Sequence, residues 1–174
     1  MSIQLTITDK MVEKARNFAI EKQPTSYPRF GETKEQQIER LTAGKIGEQL
    51  GQEALSGVGV PHICPDKFKV VREMSYGDVG DCTIHPGTEK EKKVDFKCAW
   101  KAFHIRILVP QDMFVSQHKD LYVGVKTNIE ELKAEVYGYA TREELETKHP
   151  VQNFGEGPAY WVFLDEMHDL DDLK

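Results

Sequence analysis

Residues 93–100 read KVDFKCAW. Val94, Phe96 and Cys98 alternate with Asp95 and Lys97, the two-residue side-chain period of a strand, which puts an acid and a base on one face and apolar groups on the other. A strand with one wet face also reads this way, so the setting has to decide. Across a turn-rich stretch holding His85, Pro86 and Gly87 lies Gly80-Asp81, and further upstream a helix-patterned segment carries Gly47-Glu48. Two carboxylates and a lysine meeting a third carboxylate can bind a divalent cation and activate water.

The helical pattern runs from residue 33 to about 55, with Leu41, Gly44, Glu48, Gly51 and Leu55 along one face. Gly44, Gly47 and Gly51 each cost a helix about 1 kcal/mol relative to alanine, and such a cluster around one glutamate calls for a reason. Close packing of the helix onto a sheet, bringing the carboxylate over it, is one; a frayed, weakly helical segment is the other.

Outward from this centre, Thr8-Asp9 caps a first helix to about residue 22, with Met11, Ala15, Phe18 and Ala19 on one face. Residues 23–31, with Pro24, Pro28 and Gly31, form a loop whose Tyr27 and Arg29 are a surface contact or a plain connection. After a second loop over 56–65, strands are expected around Phe68, Val70 and Val71, then over 82–84, 92–99, 104–109, 121–125 and 134–139. Pro110 starts a short helix carrying Gln111, and Thr141 followed by Glu144 has the form of a capping box opening another. Residues 159–164 read as a short edge strand closing the sheet, and the acidic end, about 165–174, as a frayed tail.

The chain has 174 residues, 39% of them hydrophobic, which fits one domain spanning 1–174. No run approaches the roughly 18 apolar residues of a membrane span, and the start MSIQLTITDK lacks the basic-then-apolar pattern of a signal peptide. A cytoplasmic protein with no membrane partner is therefore expected. Cys64, Cys82 and Cys98 make an odd count without Cys-x-x-Cys spacing, which indicates neither a disulfide framework nor a common zinc site. Zinc held by His62, Cys64, Cys82 and His85 is weaker than a reading as buried thiols and a loop histidine. The net charge of −6 argues superficially against nucleic acid. Yet the last ten residues, DEMHDLDDLK, hold five of the 29 acids and one of the 23 bases, leaving the rest of the chain at −2. Composition neither excludes DNA nor points to it.

With these residues assembled, the chain resembles the PD-(D/E)xK, or restriction-endonuclease-like, nuclease superfamily. The pattern there is a helix glutamate, an aspartate at the start of one strand, and (Asp/Glu)-x-Lys on the next. The matching positions are Glu48, Asp81, Asp95 and Lys97. The run KAEVYGYATREEL, residues 133–145, is similar to the strand-and-helix close of some phage and prokaryotic members, and the likeness extends over about 33–145. Gly80-Asp81 stands where the superfamily has Pro-Asp, and a Pro-Asp dipeptide occurs instead at Pro65-Asp66. Asp66 would be separated from Asp95 by an extra strand, whereas Asp81 leads directly into the strand that pairs by hairpin with 92–99, so Asp81 is the better match. Asp78, in GDVGD, is a third candidate.

The resemblance implies an α/β, restriction-endonuclease-like three-layer fold, with a central mixed β-sheet flanked by helices. It implies a Mg²⁺-dependent endodeoxyribonuclease, with Mn²⁺ as a substitute, hydrolysing DNA phosphodiester bonds. Glu48, Asp81 and Asp95 would hold the metal together with the backbone carbonyl of Phe96, and Lys97 would position the nucleophile or stabilise charge on phosphorus. Asp78 and Gln111 are accessory candidates, and Lys101, His104 and Arg106 candidate phosphate contacts. A homodimer is left open. The alternatives are a catalytically inactive nucleic-acid- or protein-binding module of the same fold, and a metal-dependent hydrolase acting on something other than DNA.

Overall fold

The computed structural model describes residues 1–29, 31–65, 68 and 82–174. The chain runs through β1 (Ile3–Thr6), α1 (Asp9–Lys22), α2 (Lys34–Gly57), β2 (His62–Ile63), β3 (Cys82–Ile84), β4 (Lys92–Ala99) and β5 (Arg106–Pro110). It continues with α3 (Gln111–Ser116), β6 (Leu121–Asn128), β7 (Lys133–Thr141), α4 (Arg142–Thr147), β8 (Gln152–Asn153) and β9 (Pro158–Phe163). The fold is mixed α/β.

Helix boundaries follow local chemistry. Thr8 accepts from the Met11 amide (3.2 Å) to start α1. Thr33 and Gln36 close a reciprocal capping box at the head of α2, at 2.9 and 3.2 Å. Thr141 and Glu144 do the same for α4, with backbone contacts of 2.9 and 3.2 Å. The expected first, second and last helices are thus observed, as is the short α3 after Pro110.

The main sheet has the order β1-β7-β6-β4-β3-β2. Its neighbours are antiparallel except β4 and β6, which run parallel with Asp95 beside Tyr122 and Lys97 beside Gly124. A parallel pair needs a long crossover, supplied here by β5 and α3. β6 is buried on both faces. Val123 and Val125 pack with Ala54 and Leu55 of α2, and Tyr122 packs with Phe114, Leu145 and Val162. α1 lies against α2, with Ala15, Ile46 and Leu50 in a third cluster.

Several expectations are corrected. The strands expected over 104–109 and 159–164 exist as β5 and β9, but neither joins the main sheet; with β8 they form a separate three-stranded sheet ordered β5-β9-β8. The second face of the main sheet is therefore covered by a small sheet with α3 and α4, not by helices alone. β1 and β2 add to the expected strands: β1 pairs with β7 and β2 with β3. Of the strand expected near Phe68, Val70 and Val71, all but Phe68 lies outside the described residues.

The acidic end is not frayed. His168 exchanges backbone hydrogen bonds with Tyr139 (2.8 and 2.9 Å) on the edge of β7 beyond the reach of β1. Leu170 is buried in the α2-side core, and the Leu173 carbonyl meets the His85 ring at 2.5 Å. Gly138, at φ +138°, is required there: a Cβ would collide with the His168 carbonyl. The tail covers an exposed strand edge. Cys64 and Cys82 form a disulfide, correcting the expectation of free thiols. The pairing of Ile63 with Thr83 puts residues 64 and 82 at the next opposed position.

Candidate functional site

β4 presents two different faces. On the α2 side, Cys98 lies under Gly47, where an added Cβ would sit 3.0 Å from the Cys98 Cβ and 3.2 Å from its Sγ. One turn on, a Cβ at Gly51 would enter the Phe96 ring. Two of the three glycines are thus explained by close approach of helix to strand. Gly44 is not, since a Cβ there would have nothing within 4 Å. Burial pushes the Cys98 thiol up to about 12, against an opposing hydrogen bond with Thr127 and with a further rise from the nearby Glu48 charge. A thiol raised in this way, and packed under Gly47, is a poor nucleophile.

On the other face Asp95 and Lys97 form an ion pair, Nζ to Oδ2 2.8 Å, with side chains 26% and 17% exposed. The i, i+2 spacing of a strand places them side by side, as the sequence pattern requires. β3 pairs with β4 only at Lys92, Lys93 and Val94, so among the described residues the edge of β4 beyond Val94 is uncovered on that side. Glu48, on the helix that Gly47 and Gly51 seat against β4, meets Lys45 at 2.7 Å. Lys45 is 3% exposed and its ammonium lies 4.5 Å from the centre of the Phe18 ring. Glu48, Asp95, Phe96 and Lys97 all line one cleft of about 800 Å³.

The remaining candidates divide. Asp66, Asp78 and Asp81 lie outside the described residues. The residue after Asp81, Cys82, pairs with Val94, immediately before Asp95. Gln111 opens α3 but does not line the cleft, whereas Asp112, Met113 and Gln117 of the same region do. Lys101, His104 and Arg106 line the cleft. His104 is held below its usual range by burial and by the positive charges of Lys101, Arg29 and Lys126. Among the described residues, no group of three or more His, Cys, Asp or Glu is arranged to hold a metal ion. The Cys64–Cys82 disulfide removes both thiols from the zinc grouping considered with His62 and His85.

Sequence reasoning missed two neighbours of the central pair. Tyr122, beside Asp95 in the sheet, has its hydroxyl raised to about 12 by burial and the Asp95 charge, against the pull of Arg142. Its oxygen and the Arg142 Nη1 are buried without a hydrogen-bond partner among the described residues. The apolar run LYVGV gave no sign of this. Lys45, by contrast, was legible as the i−3 neighbour of Glu48.

No family model, no curated protein and no solved structure matches the chain. Among the described residues no helix is long and apolar enough to cross a membrane.

Proposed function

We propose that this chain is a metal-dependent nuclease of the PD-(D/E)xK type, hydrolysing DNA phosphodiester bonds, on a restriction-endonuclease-like version of its mixed α/β fold. The observation that carries the proposal is the Asp95–Lys97 pair on β4, lining one cleft with Glu48, which comes from a glycine-seated helix. The helix glutamate, the strand opening at Cys82 and the Asp-x-Lys strand paired with it follow one another in the order of that superfamily.

The donors are of the type a hard cation takes: Glu48 and Asp95 offer carboxylate oxygens, each balanced by one ammonium, from Lys45 and Lys97, that a bound cation would displace or share. Mg²⁺ or Mn²⁺ would be held by Glu48, Asp95, Asp81 and the Phe96 carbonyl, and would supply an acidified water and charge compensation at phosphorus. Lys97 contributes a fixed positive charge beside the reacting phosphate, either orienting the attacking water or stabilising the phosphoryl oxygens as negative charge builds. Asp95 holds that ammonium in place through the 2.8 Å contact.

A catalytically inactive binding module is the second reading, favoured by the same ion pairs: Lys45 and Lys97 neutralise Glu48 and Asp95 without any metal. Purified protein incubated with linear, nicked, single-stranded and branched DNAs, in Mg²⁺, Mn²⁺ or EDTA, separates the two. Cleavage that needs the metal and disappears in Asp95→Asn supports the nuclease. Binding without cleavage in every condition supports the module.

A further inference from the structure

Directly after β4 the chain makes a tight turn at residues 100–105 on the mouth of the cleft. The turn is built, not slack. The His104 amide donates to the Lys101 carbonyl at 2.9 Å, and Lys126 of β6 donates to the Ala102 carbonyl at 3.1 Å. On this framework Phe103 is 73% exposed. Its company is cationic and aromatic: the Lys101 ammonium lies 5.8 Å from the Phe103 ring centre and 4.9 Å from that of Trp100, and the His104 ring stands edge-on to Phe103 at 4.8 Å. Arg106 follows, its guanidinium 4.9 Å from the Phe154 ring.

We infer that Phe103 is a stacking platform for an unpaired nucleobase, and that the cleft takes DNA with unpaired nucleotides beside the phosphate held at Asp95 and Lys97. This rests on the nuclease reading for the identity of the ligand. The physical case is that a cationic groove flanked by an exposed ring is what a single strand needs: phosphates meet Lys101 and Arg106 while a base lies on the aromatic face. A base inside a duplex has both faces stacked on its neighbours and none left for such a ring, so the platform discriminates against plain duplex. Lys101 and His104 flank the ring, and Ile105, 51% exposed, follows in the same turn, so the surface pairs a cation with an apolar face, to match the phosphate and base of a nucleotide.

The test uses DNA carrying 2-aminopurine, as a single strand and within an unpaired bubble, titrated with the full chain in EDTA so that nothing is cut. Wild type should quench the probe and bind both forms at least tenfold more tightly than the matched duplex. Phe103→Ala and Phe103→Leu should each lose about tenfold in affinity for the unpaired DNAs, with duplex binding changed less than twofold. Phe103→Tyr should keep wild-type affinity. Equal affinity for duplex and unpaired DNA, or no loss in the alanine and leucine variants, overturns the inference, as does failure to bind any DNA. Cleavage in Mg²⁺, measured separately, isolates the nuclease reading. Phe103-dependent binding with no cleavage leaves the platform standing and removes the nuclease. Metal-dependent cleavage of plain duplex, unaffected by Phe103→Ala, does the reverse.

Discussion

On the α2 side of β4, Phe96 and Cys98 lie so close to the helix that a Cβ on Gly51 or Gly47 would press into them; on the opposite face, Asp95 and Lys97 stand partly exposed. The first face is organised by volume and the second by charge. Substitutions on the first should therefore change stability before activity, and those on the second should change activity with little effect on stability. Side chains one residue apart in sequence belong to different physical regimes, because the strand sends them to opposite sides of the sheet.

The packed side extends through Cys82 and Ile84 of β3, and its largest expected weakening comes from opening the disulfide. Cys64 and Cys82 are 18 residues apart, a loop whose closure is worth about 3 kcal/mol in the chain-entropy treatment. Denaturant unfolding with and without a reductant should show a loss of that order. No change would mean that β2 and β3 hold together without the bond.

Next in size is the contrast between two glycines of one helix. Gly51→Ala gains helix propensity but overpacks the Phe96 ring, and a net destabilisation of about 1–2 kcal/mol is expected. Gly44→Ala meets nothing within 4 Å and should stabilise by up to about 1 kcal/mol. Urea melts of both variants check the opposite signs; a stabilised Gly51→Ala would break the volume argument for this face.

The smallest effect should appear at the far edge of the sheet, where the Glu144 carboxylate receives the Thr141 amide at 2.9 Å and meets the His168 ring at 2.7 Å. Burial alone would raise this carboxyl, but the hydrogen bonds from Thr141 and His168 outweigh it and hold it below its ordinary value of 4.5. A carboxyl lowered on folding adds stability above its unfolded value that is lost as pH falls through its folded value. Melting temperatures followed downward from pH 5 should fall less steeply for Glu144→Gln than for wild type. Parallel curves would remove this pair from the acid response.

What could be read without a structure was local. The cap at Thr8, the Thr141–Glu144 box and the Asp95–Lys97 alternation each depend on residues within a few positions of one another, and each is observed. The close seating of Gly47 and Gly51 was also legible, since the cost of glycine in a helix demands a compensation elsewhere. Hidden from such reading were the features that need long-range register. These are the pairing of β5 with β9 in a sheet of their own, the Cys64–Cys82 bond and the docking of His168 on Tyr139. An acidic end with few apolar residues gave no hint that two leucines in it complete a core. At the site, Gln111 stood out by position alone, and the helix that carries it turns Asp112 and Met113 to the cleft instead.

The central claim, that the charged face of β4 is catalytic, is tested most directly by one comparison: DNA cleavage and metal-dependent thermal stability, measured together for wild type, Lys97→Ala and Asp95→Ala. Both variants should lose at least about 100-fold in cleavage. Millimolar Mg²⁺ or Mn²⁺ should raise the melting temperature of wild type and of Lys97→Ala, which keeps its oxygen donors, but not of Asp95→Ala, which has lost one. Full nuclease activity in Lys97→Ala, in a preparation free of contaminating nuclease, would contradict the account.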